Sequence, residues 1–523
     1  MKNIFYLILL YPFISFAQNK AEWQHQDPKD DGVLGISTYK AYELLKNKTP
    51  DTVIVAIIDN GTDINHEDLK GLIWVNKKEI PNNGIDDDKN GYIDDINGWN
   101  FLGNAEGKNL KQETTEVTRY YFQLKNKYES KSINEINASE KEEYKNYLLA
   151  KENYTNDFRT KTENLALYEF ILENYIACDK ILTEFFKKPD YTEAEVKKIK
   201  KRHKELKKAK EFMLLIYADK LTKAKIEKLV ADTKRDIETR LNPNFSARAE
   251  MVGDKPNDIS DSIYGNNMVN ACGPSHGTGV AGVVGALDNG IGATGVARCV
   301  KFMILRIVPN GDERDKDIAL AYRYAVRNGA SIINCSFGKR FSPQAEFVDQ
   351  AMIEAENAGV LIVHAAGNNG TNNDSIPHYP TGVFLNGKIP NNWITVGASS
   401  NKDNEYLVAS FSNYGKKSVD VFAPGVELLN INLNNKYDLV SGTSVASPVV
   451  AGIAAVLKSY YPYLSAKQLK EIILKSVYIP KTKMVELPGR TTDKKDFSAL
   501  SVSGGIVNLY NAILLVESSY KNK

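Results

Sequence analysis

Cysteine and histidine are scarce in this chain: 523 residues include four of the first and six of the second. The cysteines (Cys178, Cys272, Cys299, Cys335) are too few and too widely spaced for a disulfide scaffold. With no C-x-x-C pair and no Cys/His cluster they carry no zinc signal, and they read as small buried hydrophobes. Neither sign of charge prevails. Against 67 Lys/Arg stand 65 Asp/Glu, a net charge of +2, so the basic footprint of a nucleic-acid-binding protein is absent. Beyond residue 16 no apolar run approaches the roughly 20 residues that span a bilayer. Glycine is missing from one long stretch: none of the 35 lies between Gly107 and Gly253. The same stretch, 108–250, holds 31 basic and 25 acidic residues, leaving 36 and 40 for the rest of the chain. Near-neutrality is thus a cancellation between two unlike polypeptides.

What is present begins with Met1-Lys2-Asn3, an apolar run from Ile4 to Phe16, and Ser15-Phe16-Ala17 before Gln18. A charged start, a short apolar core and a small-residue exit describe a signal peptide over 1–17, and hence an exported protein, periplasmic or secreted. Thr52–Ile58 is a β-branched run of the kind buried on both faces in a parallel sheet. Val300–Ile307, Ala330–Asn334, Val360–Ala365 and Trp393–Val396 repeat it, with helical patterns at Ser37–Leu45, Asp317–Asn328 and Ser342–Ala358. The alternation predicts an α/β fold with a doubly wound, mostly parallel sheet. In 108–250 the apolar residues recur at helical spacing, as in Leu165, Tyr168, Leu172 and Tyr175, so this segment reads as a long charged α-helical insertion. Its basic run Lys197–Lys210 reads as a solvated helix face, the alternative being a patch for an anionic partner. The expected organisation is a discontinuous α/β domain over 18–107 and 251–516, the insertion at 108–250, and a tail over 517–523.

The six histidines permit an elimination. Ser441-Gly442-Thr443-Ser444-Val445-Ala446-Ser447-Pro448 places a serine before a long apolar helix. A hydrolase nucleophile elbow would need its histidine after that serine, and none follows Ser444. The surviving order is Asp…His…Ser. Asp59 ends the first buried run, and His276 opens a helix of small residues in His276-Gly277-Thr278-Gly279-Val280-Ala281-Gly282. A serine hydroxyl needs a base to remove its proton; an imidazole supplies one, and a buried carboxylate fixes its tautomer. Taken singly, Asp59 could be a turn residue and Ser444 a helix cap.

Together these segments resemble the subtilisin-like serine proteases (subtilases, peptidase family S8), in that family's chain order. Ala365-Ala366-Gly367-Asn368 resembles a fourth block. The resemblance covers most of 50–107 and 251–516. It implies the subtilisin-type sheet, Ser444 as nucleophile, His276 as general base, Asp59 as its orienting carboxylate and Asn368 as the oxyanion donor. It further implies that Ser336, Phe337 and Gly338 pair with extended substrate and line a specificity pocket whose other wall is Ala365, Ala366 and Gly367. Gly279 and Val445 depart from the family's usual His and Met; the first is expected to widen a subsite.

Asp86-Asp87-Asp88-Lys89-Asn90-Gly91-Tyr92 follows the first part of a calcium loop, with ligands at Asp86, Asp88, Asn90 and Tyr92. Its twelfth position is Asn97 rather than a bidentate Glu, and an acidic Asx-turn loop is the alternative. Subtilases often carry structural calcium, so calcium is the implied cofactor. The stretch 18–51 is too short for the family's usual propeptide, and the insertion is expected to stand in as a lid or partner-docking arm. The expectation is an exported serine endopeptidase that hydrolyses polypeptide substrates through an acyl-enzyme. A non-catalytic subtilase-fold scaffold acting through the insertion is the second reading.

Overall fold

The computed structural model describes residues 22–200, 203–490 and 492–520. The expected signal peptide, 1–17, lies outside the described residues. The chain divides into two compact units, one formed by Met1–Lys111 with Ala247–Lys523, the other by Gln112–Ser246.

The first unit is built on a seven-stranded parallel sheet. Its strands are β1 (Val53–Asp59), β2 (Gly98–Asn100), β3 (Val300–Arg306), β4 (Ile332–Cys335), β5 (Leu361–Ala365), β6 (Trp393–Ser399) and β7 (Val421–Pro424), in the order β2-β3-β1-β4-β5-β6-β7. This is the subtilisin-type α/β architecture. Successive side chains of a strand point to opposite faces, and here both faces are covered. Val55 and Ile57 of β1 pack with Val280, Val284, Val449 and Ile453. Ala56 and Ile58 pack on the other side with Ile318, Tyr322 and Ala351. Each fully buried Val or Ile stabilises the fold by about 1.5–3 kcal/mol, which is why the central strands are almost uninterrupted β-branched residues. The first layer holds the helices Ser275–Gly285 and Thr443–Tyr460; the second holds Asp315–Arg327 and Ala345–Asn357.

The chain order turns back at β1, which pairs with β3 on one side (Asp59 opposite Arg306) and β4 on the other (Ile58 opposite Cys335). Sites in open α/β sheets form at the carboxyl ends of strands beside such a reversal. Helix Thr443–Tyr460 is long and apolar enough to cross a membrane, but 83% of it is buried within the protein, as a core helix. The last helix, Leu509–Ser519, runs past residue 516, into the expected tail.

The unit Gln112–Ser246 is helical. Its longest element, Lys141–Phe186, spans 46 residues and ends where Lys187 takes a left-handed conformation. Near its start, Tyr144 and Tyr147 meet Tyr121 and Tyr128 of helix Glu116–Tyr128. Near its end, Leu182 joins Val196, Leu206 and Met213 in a separate small core. The unit's two ends are tied together: Thr115 N donates to Arg240 O at 3.0 Å, and Thr118 Oγ1 donates to the same oxygen at 2.9 Å.

Candidate functional site

Asp59 is the last residue of β1, and its carboxylate is buried. The two oxygens lie 2.8 and 3.0 Å from His276 Nδ1, and Asn60 N donates to Oδ1 at 2.7 Å. His276, near the start of helix Ser275–Gly285, keeps 45% of its side chain exposed against 1% for Asp59. One ring nitrogen is therefore held by a buried anion while the ring's other side faces solvent. The Asp59 carboxylate holds the His276 imidazole above its ordinary value.

The close approach depends on a missing side chain. A β-carbon at Gly277 would collide with Gly61 O and come within 3.0 Å of Asp59 Cβ. With glycine there, Gly277 N reaches Asn60 Oδ1 at 2.9 Å, locking helix to strand end.

Ser444 is half-buried at the start of helix Thr443–Tyr460. Pro448 lies inside that helix and has no N–H for the carbonyl four residues back, which is that of Ser444. The orphaned oxygen accepts instead from Ser336 Oγ at 3.0 Å. Asn334 Nδ2 donates to Ser336 Oγ at 2.9 Å, and Ser447 Oγ donates to Asn334 Oδ1 at 2.6 Å. A buried polar chain from β4 thus fixes the first turn of the Ser444 helix. The hydroxyl of Ser336, expected on a substrate-facing segment, is spent on this support.

Ala365 ends β5, Ala366 is buried, and Gly367 turns with φ +103, a conformation that favours glycine. A β-carbon at Gly367 would also press to 2.5 Å on Asn413 Nδ2. Asn413 clamps this turn, donating to Ala366 O at 2.9 Å and accepting from Asn369 N and Thr371 N. Asn368 follows, and its Oδ1 accepts from Thr443 N and Thr443 Oγ1, both at 2.9 Å. A β-carbon on Gly442 would sit 2.9 Å from Ser444 Oγ and 3.6 Å from Asn368 Nδ2, so hydroxyl and amide flank one small space.

His276 and Ser444 line a common cavity of about 290 Å³, together with Gly279, Asn430, Val440 and Val445. No hydrogen bond joins the two side chains among the described residues, as is common before substrate draws nucleophile and base together. The space vacated at Gly279 is taken by Asn430, whose Nδ2 would lie 2.8 Å from a β-carbon there. Phe337 is buried in the second core layer.

Two of the expected ligands, Asp86 and Asp88, come together in the acidic loop, joined by Glu79, which was not expected. Carboxylate oxygens of Glu79, Asp86 and Asp88 lie within 4.8 Å of one another. Asn90 Oδ1 accepts from Tyr92 N at 2.8 Å, and its Nδ2 donates to Asp95 at 2.9 Å. The Tyr92 ring packs against Trp99 and Tyr324. Glu79 had no sequence signal because it stands outside the repeat; Asn413, Asn430 and Asn334 lie in ordinary polar or buried stretches with no motif.

A carboxylate–imidazole pair and a serine hydroxyl at helix starts, beside an amide at a strand end, on a parallel doubly wound sheet: these define a class of α/β protein built around a serine. The family model of the subtilase family, peptidase S8, matches residues 51–504, and the chain belongs to that family. It is 36% identical over 211 residues to Subtilisin DY of Bacillus licheniformis, which covers 40% of this chain and 72% of that protein. It is 35% identical over 199 residues to a thermostable alkaline protease of Halalkalibacterium halodurans. That match covers 38% of this chain and 51% of the relative, so the chain spans about half the length of that protein. Among solved structures, the prenylagaramide maturation protease PagA is 26% identical with a TM-score of 0.38, covering 46% of this chain and 82% of that one.

Proposed function

We propose that the protein is an exported serine endopeptidase in which Asp59, His276 and Ser444 form the catalytic triad and Asn368 contributes to the oxyanion hole. The observation that carries this reading is the contact of 2.8 Å between the buried Asp59 carboxylate and Nδ1 of His276, a ring that lines one cavity with Ser444. Ser444 Oγ attacks the peptide carbonyl carbon while His276 Nε2 takes its proton. Asp59 holds the Nδ1–H and stabilises the imidazolium. The oxyanion accepts from Asn368 Nδ2 and the Ser444 N–H, the first of which supplies about 2.7–4 kcal/mol of transition-state stabilisation. Collapse breaks the C–N bond, and His276 returns the proton to the leaving amine. Water then hydrolyses the Ser444 ester by the same route in reverse. Polypeptides are the substrates, and export rests on the residue pattern of 1–17.

Fluorophosphonate labelling tests this. The wild type is expected to label at Ser444 and Ser444→Ala to lose the label; an unlabelled wild type would return the chain to the scaffold reading. Calcium is read as structural, held by Glu79, Asp86 and Asp88, an oxygen-only set that suits a hard cation. Chelation is expected to lower Tm, and Asp88→Asn to remove most of that response. The insertion is read as a partner-docking arm, supported by apolar side chains left in solvent along its longest helix, among them Leu167 and Phe170.

A further inference from the structure

The strands β4 and β5 are parallel neighbours, and both continue past the sheet, as Ser336–Gly338 and Ala365–Gly367. Each extension is pinned to the start of the Ser444 helix, one through Ser336 Oγ to Ser444 O and the other through Gly367 N to Thr443 Oγ1 at 3.1 Å. The gap between them opens beside Ser444. On the peptidase reading these two segments are the expected walls of the specificity pocket, so the gap between them takes the side chain on the acyl side of the scissile bond.

That gap is already filled from below. A β-carbon on Gly338 would collide with His378 Nε2, and one on Gly367 would come within 3.1 Å of both Nε2 and Cε1 of the same ring. One imidazole edge therefore touches both walls. His378 cannot easily withdraw. The residue after it is bridged to the residue after one wall, since Lys339 N donates to Tyr379 O and Tyr379 N to Lys339 O, each at 2.9 Å. Behind the ring stands His364, centroids 5.8 Å apart, and behind that Trp393 at 5.1 Å. Burial, and then the positive charge of Arg340, push the His378 imidazole down to about 4, so at neutral pH the ring is an uncharged plug rather than a counter-ion.

We infer that His378 is a specificity-determining residue that closes this slot and confines the residue on the acyl side of the scissile bond to a short side chain: glycine, alanine or serine. This rests on the peptidase reading above. A pocket distinguishes added methylenes by steric exclusion and lost burial, by factors of about 10–200 each.

The test measures kcat/KM of the full chain on one peptide series differing only at that position. Alanine is expected to exceed leucine and phenylalanine at least tenfold. In His378→Gly the phenylalanine-to-alanine ratio is expected to rise at least tenfold, and in His378→Ala to rise by less. Fluorophosphonate labelling of Ser444 in each variant shows that the site has folded, and the wild-type profile stands without any variant. Wild-type cleavage of phenylalanine as fast as alanine, or an unchanged ratio in both labelled variants, would overturn the inference and leave the peptidase reading intact. Absence of both labelling and cleavage in the wild type would overturn the two together.

Discussion

In the proposed triad His276 has to be neutral to accept the Ser444 proton, and the Asp59 carboxylate raises its affinity for a proton of its own. The sign follows. Below the raised pKa the imidazole is already protonated and the base is lost; above it the base is free. The acid limb of kcat/KM is therefore expected above the ordinary imidazole value of 6.5. In Asp59→Asn the limb should move to lower pH while the plateau falls by orders of magnitude, because the amide no longer enforces the tautomer. A pH–rate profile of the two proteins checks both parts. Ser336 acts at one remove. Its hydroxyl replaces the hydrogen bond that Pro448 cannot make to Ser444 O. Leaving a buried carbonyl unpaired costs about 1–3 kcal/mol. Ser336→Ala is expected to lower kcat about tenfold or more, with KM changed little, since the loss displaces the nucleophile rather than the peptide; a KM effect alone would contradict this. Residues at this scale were unevenly readable. Asp59, His276, Ser444 and Asn368 stand within short runs that carry their own context. Asn413 and His378 do not, because what makes each matter is a neighbour tens of positions away, and Glu79 does not, because it stands apart from the Asp-rich run it joins.

At the scale of elements, β-branched runs marked β1 and β3–β6 because strands buried on both faces tolerate little else. Each observed strand falls within two residues of its run at the start. The sheet's outer members, β2 and β7, were not readable. Gly98-Trp99-Asn100 is too short to show a period, and its place is set by pairing with Ile304–Arg306 far along the chain. The helix carrying His276 was readable by its small residues, but only the structure shows which of them matters: Gly277 meets β1, and Gly279 admits Asn430. The segment that re-enters the first unit after the insertion is anchored by charge. Arg248 pairs with Asp317 and Asp254, each at 2.8 Å, and Lys316 pairs with Asp254 at 3.1 Å and Asp261 at 3.0 Å. Tyr264 donates to Asp317 as well. Arg248, Lys316, Asp254 and Asp317 are buried, and removing one partner strands the others. Arg248→Ala is expected to cost about 3–5 kcal/mol of stability, read by denaturant unfolding.

For the molecule as a whole, the 523-residue chain forms a sheet-based unit and a helical unit whose entry and exit are stitched at Thr115 and Arg240. The missing glycines and the density of charge set 108–250 apart in the sequence, and the helical unit spans Gln112–Ser246; the stitch has no such mark, since it accepts at a backbone oxygen that carries no side-chain code. The position of β1 has one more consequence. It comes before the insertion, yet it lies between β3 and β4, which come after it, bonded to both. A single cut within the helical unit would therefore yield two fragments, one bringing Asp59, the other His276 and Ser444. Neither would hold the whole proposed triad, and β1 would lie on one fragment while its partners β3 and β4 lie on the other. On the proposed function, a chain cut there would serve as a split reporter, with hydrolysis registering the reunion of its halves.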